Sequence, residues 1–163
     1  MPSSRLTSAA VTALLTAGLL ARSPQDPPHG FTGLPGLQSA YDLILDAQFD
    51  EADAAIKRAC GPAPAEACLV LRATRLWWQI LQDSRDRSFD EPFLRAVEQA
   101  IAGAEAWVAR EPERAEAWFY LGAAYGARVS WRVERGERVA AARDGKRIKE
   151  SLERALELDP GFE

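Results

Sequence analysis

The sequence predicts an all-α domain made of stacked antiparallel helix hairpins, about three in number. From Leu37 onward, alanine, leucine, glutamate and arginine follow helical spacing, and no run alternates as a strand would. Pro64, Pro112 and Pro160 recur every 48 residues, and each closes one predicted helix before the next begins. Recurrence on this scale is typical of stacked helix pairs, in which each pair buries its apolar face against its neighbours.

The N-terminal part of the chain, which precedes this domain, has a different amino-acid composition. Residues 1–21 carry a single charge at Arg5, followed by an apolar stretch from Ala9 to Ala21. This stretch is short for a bilayer span and fits a secretory signal peptide, so we expect cleavage after Ala21. A short membrane anchor or a wrongly assigned start is the alternative. Residues 22–36 are rich in proline and glycine and predict a linker.

Within the domain, residues 37–163, helical spacing and turn residues predict six helices. Asp90 is placed to cap one of them, just before Pro92 in its first turn. The long fifth segment contains Gly136, which could divide it, and the residues around Gly145 predict a turn. The predicted ranges are 37–47, 50–60, 65–82, 91–110, 113–142 and 146–159.

Composition narrows the possible functions. The chain has 163 residues, 47% of them hydrophobic, and a net charge of −4, which gives no general attraction to nucleic acid or anionic lipid. It contains no glycine-rich phosphate loop, zinc-type cluster or nucleophile elbow, and His29 is far from both cysteines. We therefore expect a protein that is not an enzyme and uses no metal or cofactor.

The two cysteines predict a disulfide. Cys60 and Cys68 flank a tight turn rich in proline between two predicted helices. In an exported protein such a pair is normally oxidised. The alternative is that both are small buried apolar residues.

Two stretches of the last hairpin resemble the tetratricopeptide repeat. They are "AEAWFYLGAAYG" at 115–126 and "SLERALELDP" at 151–160, and "FDEADAAIKRA" at 49–59 is similar to the second helix of another unit. The resemblance implies that the paired helices approach closely where side chains are small, at Gly122 and Ala155. The family's unit has about 34 residues, which is shorter than the spacing here. The residues in the family's packing roles are Trp118, Leu121, Gly122, Tyr125, Ala155 and Pro160.

The same resemblance implies a concave groove, lined by first-helix side chains, that binds an extended peptide or a partner helix. The alternative is that Phe119 and Tyr120 are core residues, because aromatic stripes on helices mostly serve packing. The groove positions carried over are Glu116, Phe119, Tyr120, Ala123, Gly126 and Ala127.

A second candidate surface is basic. Arg128, Arg132 and Arg135 fall on one helix face with Trp131 among them, which suits a carboxylate, a phosphate or an acidic peptide. The alternative is a solvated face whose charge is neutralised by interleaved acidic residues, namely Glu134, Glu137, Asp144 and Glu150.

The leading hypothesis is an exported scaffold or adaptor, periplasmic or extracellular, that binds another polypeptide and has no stable membrane insertion after signal cleavage. The alternatives are an anion or small-ligand binder that uses the arginine face, and the helical part of an enzyme whose catalytic residues lie beyond Glu163. Helical arrays normally cover their last hairpin with a further helix. We therefore expect 37–163 to be truncated or to be the front half of a longer solenoid.

Overall fold

The computed structural model of the protein describes residues 30–162. This range contains six α-helices and no strand, which confirms the predicted all-α class. No helix within it is both long and apolar enough to cross a membrane. The predicted signal peptide and residues 22–29 lie outside the described residues. The helices are α1 (Leu34–Leu45), α2 (Phe49–Ala59), α3 (Ala65–Gln82), α4 (Asp90–Arg110), α5 (Ala115–Glu134) and α6 (Arg138–Leu158).

The helices pack as three consecutive hairpins, α1 with α2, α3 with α4, and α5 with α6. The first helices of the hairpins lie side by side, because α3 contacts both α1 and α5. Each second helix also packs against the next first helix, α2 on α3 and α4 on α5. Pro64, Pro112 and Pro160 all lie in the segments between or after hairpins. This packing is consistent with a helical repeat.

Two helix starts differ from prediction. α1 begins at Leu34, inside the predicted linker, because the fixed φ of Pro35 suits a first helical turn. Gly33 precedes it with φ 70°, and a Cβ there would lie 2.8 Å from Ala63. Asp90 is the first residue of α4 and makes no capping bond, so the prediction of an Asp90 cap is wrong.

The predicted segment 113–142 is divided at Gly136. That glycine has φ 79°, and the backbone N–H of Glu137 donates to the carbonyl of Arg132 at 2.7 Å. The N–H of Gly136 also donates to the carbonyl of Val133 at 3.1 Å, which completes a Schellman end of α5. α6 then continues through Gly145, so the predicted turn there is wrong.

Gly122 allows α5 and α6 to approach closely, as the resemblance implied. A Cβ at this position would lie 3.1 Å from Cδ2 of Leu152 and 3.5 Å from Cβ of Ser151. These residues, rather than Ala155, face the glycine most closely, although Ala155 is also buried. Gly122 therefore gives up helix propensity for interhelical packing, because a methyl group there would press on the side chain of Leu152. Of the other predicted packing residues, Leu121 and Tyr125 are buried and Trp118 is half-buried.

Candidate functional site

An apolar groove of about 460 Å³ runs over the first helices of the three hairpins. Its volume falls within the range of about 300 to 1,000 Å³ that is usual for ligand sites. Apart from Phe31, which precedes α1, the lining residues belong to the N-terminal two or three turns of α1, α3 and α5. The walls formed by α1 and α3 include Leu34, Leu37, Tyr41, Val70 and Leu71.

The wall formed by α5 consists of Phe119, Tyr120 and Ala123, three of the six predicted groove positions. Phe119 and Ala123 are half-buried, whereas Tyr120 is 7% exposed and stacks on Trp107 with ring centroids 6.1 Å apart. Tyr120 is thus both a core residue and a groove residue, so the two roles that the sequence offered as alternatives hold together at this position. Gly126 and Ala127 are half-buried further along α5 and are not part of the lining.

Residues 30–33, which we call the N-terminal strap, contribute Phe31 to the lining of the groove. Its Phe31 packs edge-on against Phe119, with centroids 4.8 Å apart, and lies 4.5 Å from the ring of Phe162. Edge-to-face aromatic pairs of this kind are favourable beyond the area they bury. The strap therefore links the start of the first hairpin to the last hairpin.

Glu116 anchors the strap and does not line the groove as predicted. It is 1% exposed, and its carboxylate accepts from the backbone N–H of Thr32 at 2.9 Å and from the Thr32 hydroxyl at 3.1 Å. Arg114 forms an ion pair with Glu116, donates to the Thr32 hydroxyl at 2.7 Å and lies over the Trp107 ring. A buried carboxylate needs such partners, so Glu116 has a structural role.

Among the polar side chains that line the groove, Gln38, Tyr41 and Tyr120 form no hydrogen bond with residues 30–162, whereas the hydroxyl of Thr74 donates to a backbone carbonyl of its own helix at 2.9 Å. Tyr120 differs from Gln38 and Tyr41 in its burial, since the other two are exposed. Burial raises the pKa of Tyr120 well above its usual value, and the charge of Glu116 raises it further. The group therefore stays protonated at physiological pH and is available as a donor.

Arg128 and Arg132 of the predicted anion-binding face bind carboxylates of the chain itself. Arg128 donates to Asp144 through Nε at 2.8 Å and Nη2 at 2.9 Å, and to Glu98 through Nη1 at 2.6 Å. Arg132 donates to the same Asp144 at 2.6 Å. Asp144 is 4% exposed, so this cluster is an interior ion-pair network that joins α4, α5 and α6.

Arg135 and Trp131, the other two residues of that face, both bind Asp90. Arg135 donates to the carboxylate through Nε at 2.9 Å and Nη2 at 2.6 Å, and Trp131 donates through Nε1 at 3.1 Å. Only 4% of the Arg135 side chain is exposed. Sequence reasoning considered only carboxylates nearby in the chain and missed Asp90 and Glu98, which α4 supplies. The four residues therefore hold helices together and do not form an open face for anions.

Cys60 and Cys68 lie at disulfide-bonding distance, as predicted, with their Cα atoms 5.9 Å apart. Cys60 directly follows the last residue of α2, and Cys68 lies in the first turn of α3. The bond therefore joins the first hairpin to the second and fixes the α1 wall of the groove relative to the α3 wall.

Comparisons of the chain with models of protein families, with curated proteins and with solved structures give no match. The resemblance to the tetratricopeptide repeat therefore stays a prediction from the residues that carry it. What the described residues define is an all-α protein of three helix hairpins with an apolar groove on its first helices.

Proposed function

We propose that the protein is an exported adaptor, without enzymatic activity, that binds a segment of another polypeptide in the groove. The observation that carries this proposal is the position of the groove, which spans the first helix of all three hairpins. Apolar side chains on successive helices suit the side chains that a peptide presents at regular intervals. The resemblance to the tetratricopeptide repeat supports the same role.

The rim of the groove also favours a macromolecular partner. Leu34 and Tyr41 line the groove yet are 41% and 40% exposed, so a bound segment would cover apolar surface that now faces water. Each square ångström of apolar surface covered contributes about 25 cal/mol before the costs of association. Tyrosine is among the residue types enriched at the energetic hot spots of protein interfaces.

Export is supported by two features that lie in different parts of the chain. Residues 1–21 have the pattern of a signal peptide, and the bonded cysteine pair is typical of proteins in oxidising compartments. In a bacterial host that expresses the full chain, we expect the mature protein outside the cytoplasm, beginning at Arg22. Recovery of the uncleaved chain in the cytoplasm would contradict export.

Selection from a random peptide library tests the binding proposal. Peptides displayed on phage would be selected on the immobilised full chain, and each binder would be measured by fluorescence polarisation. In Ala123→Trp an indole fills the groove, whereas Ala106→Trp adds the same ring to an exposed position on α4. We expect binders to lose at least about tenfold in affinity for Ala123→Trp and to keep their affinity for Ala106→Trp.

Circular dichroism of both variants checks that they remain helical. Enrichment of no peptide, or equal binding to wild type and to a folded Ala123→Trp variant, would overturn the proposed function.

A further inference from the structure

The hydroxyl of Tyr120 has no hydrogen-bond partner among residues 30–162. The residue is 93% buried, and its ring stacks on Trp107 and packs edge-to-face with Phe31 and Phe119. Its hydroxyl oxygen is not fully buried, because Arg75 Nε is the only fully buried side-chain nitrogen or oxygen without a partner among the buried and half-buried residues in that range. The hydroxyl therefore meets the solvent of the groove, and an occupant that displaces this solvent must offer it a replacement partner. A group that occupies the groove is therefore its natural partner.

No charged side chain of residues 30–162 lines the groove. Glu116 of α5, which does not line the groove, is already bound to Thr32 and Arg114. A charge brought into the groove would lose its hydration and find no opposite charge in the lining. The occupant must therefore be uncharged and largely apolar where it fills the groove.

The Tyr120 hydroxyl is a protonated donor on a ring that is held in place. A protonated hydroxyl donates one hydrogen bond and needs an acceptor. The ring of Tyr120 is held by three aromatic neighbours, so the position of this donor is fixed before a ligand arrives. Backbone carbonyls are the acceptors that every peptide segment offers, whatever its sequence.

We propose that the groove takes a large uncharged side chain of the partner segment, and that the Tyr120 hydroxyl donates a hydrogen bond to a backbone carbonyl of the same segment. This inference rests on the proposed function and gives it a chemical specificity. The apolar side chain supplies most of the buried area. Tyr120 selects segments whose carbonyl lies at the correct depth and register.

The peptides selected on the wild-type chain provide the probes. We expect each to contain a leucine, isoleucine, methionine, phenylalanine or tryptophan that cannot be replaced by aspartate without loss of binding. Tyr120→Phe keeps the ring and removes the donor, and we expect it to weaken binding about 5- to 10-fold. Tyr41→Phe is the matched control, because Tyr41 lines the same groove but is 40% exposed and its hydroxyl can bond to water. We expect that control to change affinity less than about twofold.

A second measurement leaves the protein unchanged. Peptides in which one backbone amide at a time is replaced by an ester have a weaker carbonyl acceptor at that position. One such replacement should weaken binding to wild type and have little further effect on Tyr120→Phe, because the two changes remove the same bond. Each arm of this cycle compares two peptides on the same protein, so an overall loss of affinity in a folded Tyr120→Phe variant cancels.

The outcomes separate the two proposals. Peptides that depend on the groove but bind Tyr120→Phe as tightly as wild type, or that place a charged residue in the groove, would overturn this inference and leave the proposed function standing. Absence of any peptide that distinguishes Ala123→Trp from wild type would overturn the proposed function, and this inference with it.

Discussion

Asp144 binds Arg128 through two parallel hydrogen bonds, from Nε to Oδ2 at 2.8 Å and from Nη2 to Oδ1 at 2.9 Å. The same carboxylate accepts from Arg132 at 2.6 Å, so one acidic side chain of α6 holds two arginines of α5. Bidentate pairs of this kind are among the strongest in proteins. Because these pairs are largely buried, removal of the Asp144 carboxylate should cost much of their stabilising free energy.

We therefore expect Asp144→Ala to lower the free energy of unfolding by about 3 to 5 kcal/mol, because it leaves two partly buried guanidinium groups without their shared partner. The measurement is urea unfolding followed by circular dichroism. Glu153→Ala on the same helix is the control, because Glu153 is 59% exposed and its pair with Lys149 lies at 3.6 Å. That change should cost no more than about 0.5 kcal/mol. Equal costs for the two variants would show that the interior pair has no special role.

Asp90 predicts a specific dependence of stability on pH. Burial alone would raise the pKa of Asp90, but the hydrogen bonds from Arg135 and Trp131 outweigh burial and lower it below the usual value. A carboxylate whose pKa is lower in the folded state stabilises the fold fully above its unfolded pKa of about 3.9. This contribution is lost as the pH falls through the folded pKa.

Asp90→Asn mimics the protonated carboxyl group. We expect its cost in unfolding free energy to be constant between about pH 6 and 7 and to shrink below about pH 4, where wild type also loses the charge. Urea unfolding of both proteins at several pH values measures the difference. The pKa of Asp86 is also lowered, by its bonds to Ser88, but Asp86 is present in both proteins and its effect cancels. A cost that stays the same down to pH 2 would contradict the assignment.

The two glycines near the start of α6 should respond oppositely to alanine. Gly136 has φ 79°, where a side chain is strained, so Gly136→Ala should lower the free energy of unfolding by about 1 kcal/mol or more. Gly145 lies within α6, and no atom of the described residues outside its own helix turn lies within 4 Å of a Cβ built there, so Gly145→Ala should raise the free energy of unfolding by up to about 1 kcal/mol. Thermal unfolding of the pair measures both signs. If Gly145→Ala lowered the free energy of unfolding, the position of Gly145 inside α6 would be contradicted.

Gly122 and Gly126 form a second matched pair on α5. A Cβ at Gly126 meets open space, and Gly126→Ala should gain nearly the full helix propensity, about 1 kcal/mol. At Gly122 the same methyl group presses on Leu152, so the gain should be smaller, and Gly122→Leu should destabilise the fold. Chemical denaturation of the three variants gives the ranking. An equal gain from both alanine substitutions would mean that Gly122 does not set the spacing between α5 and α6.

The hairpin pattern could be predicted from sequence because its signals are local. Prolines mark the ends of hairpins, and apolar spacing marks the helices between them. The error at Gly145 has a physical cause, because the inward stripe of α6 passes through buried Asp144 and Ser151. Prediction from sequence expects a charged residue to be exposed, so it does not continue the buried face of α6 through Asp144. The adjacent Gly145 then suggests a turn.

The groove could be predicted only in part. Phe119, Tyr120 and Ala123 follow from their positions on a first helix, which the resemblance supplied. The contribution of α1 and the binding of Glu116 to Thr32 could not be predicted, because they depend on residues far apart in the chain; the latter pair is separated by 84 positions. No local pattern marks a carboxylate that is bound by such a distant residue.

The N-terminal strap has a consequence for how the chain folds. In an open array of repeats, each unit contacts only its neighbours, so an end hairpin can unravel while the rest persists. Here Thr32 and Phe31, just before the first hairpin, are bound to Glu116 and Phe119 of the third. Loss of the last hairpin would release the strap and uncover the groove at the same time. The three hairpins should therefore unfold together in one cooperative transition, which ties the integrity of the groove to that of the whole domain.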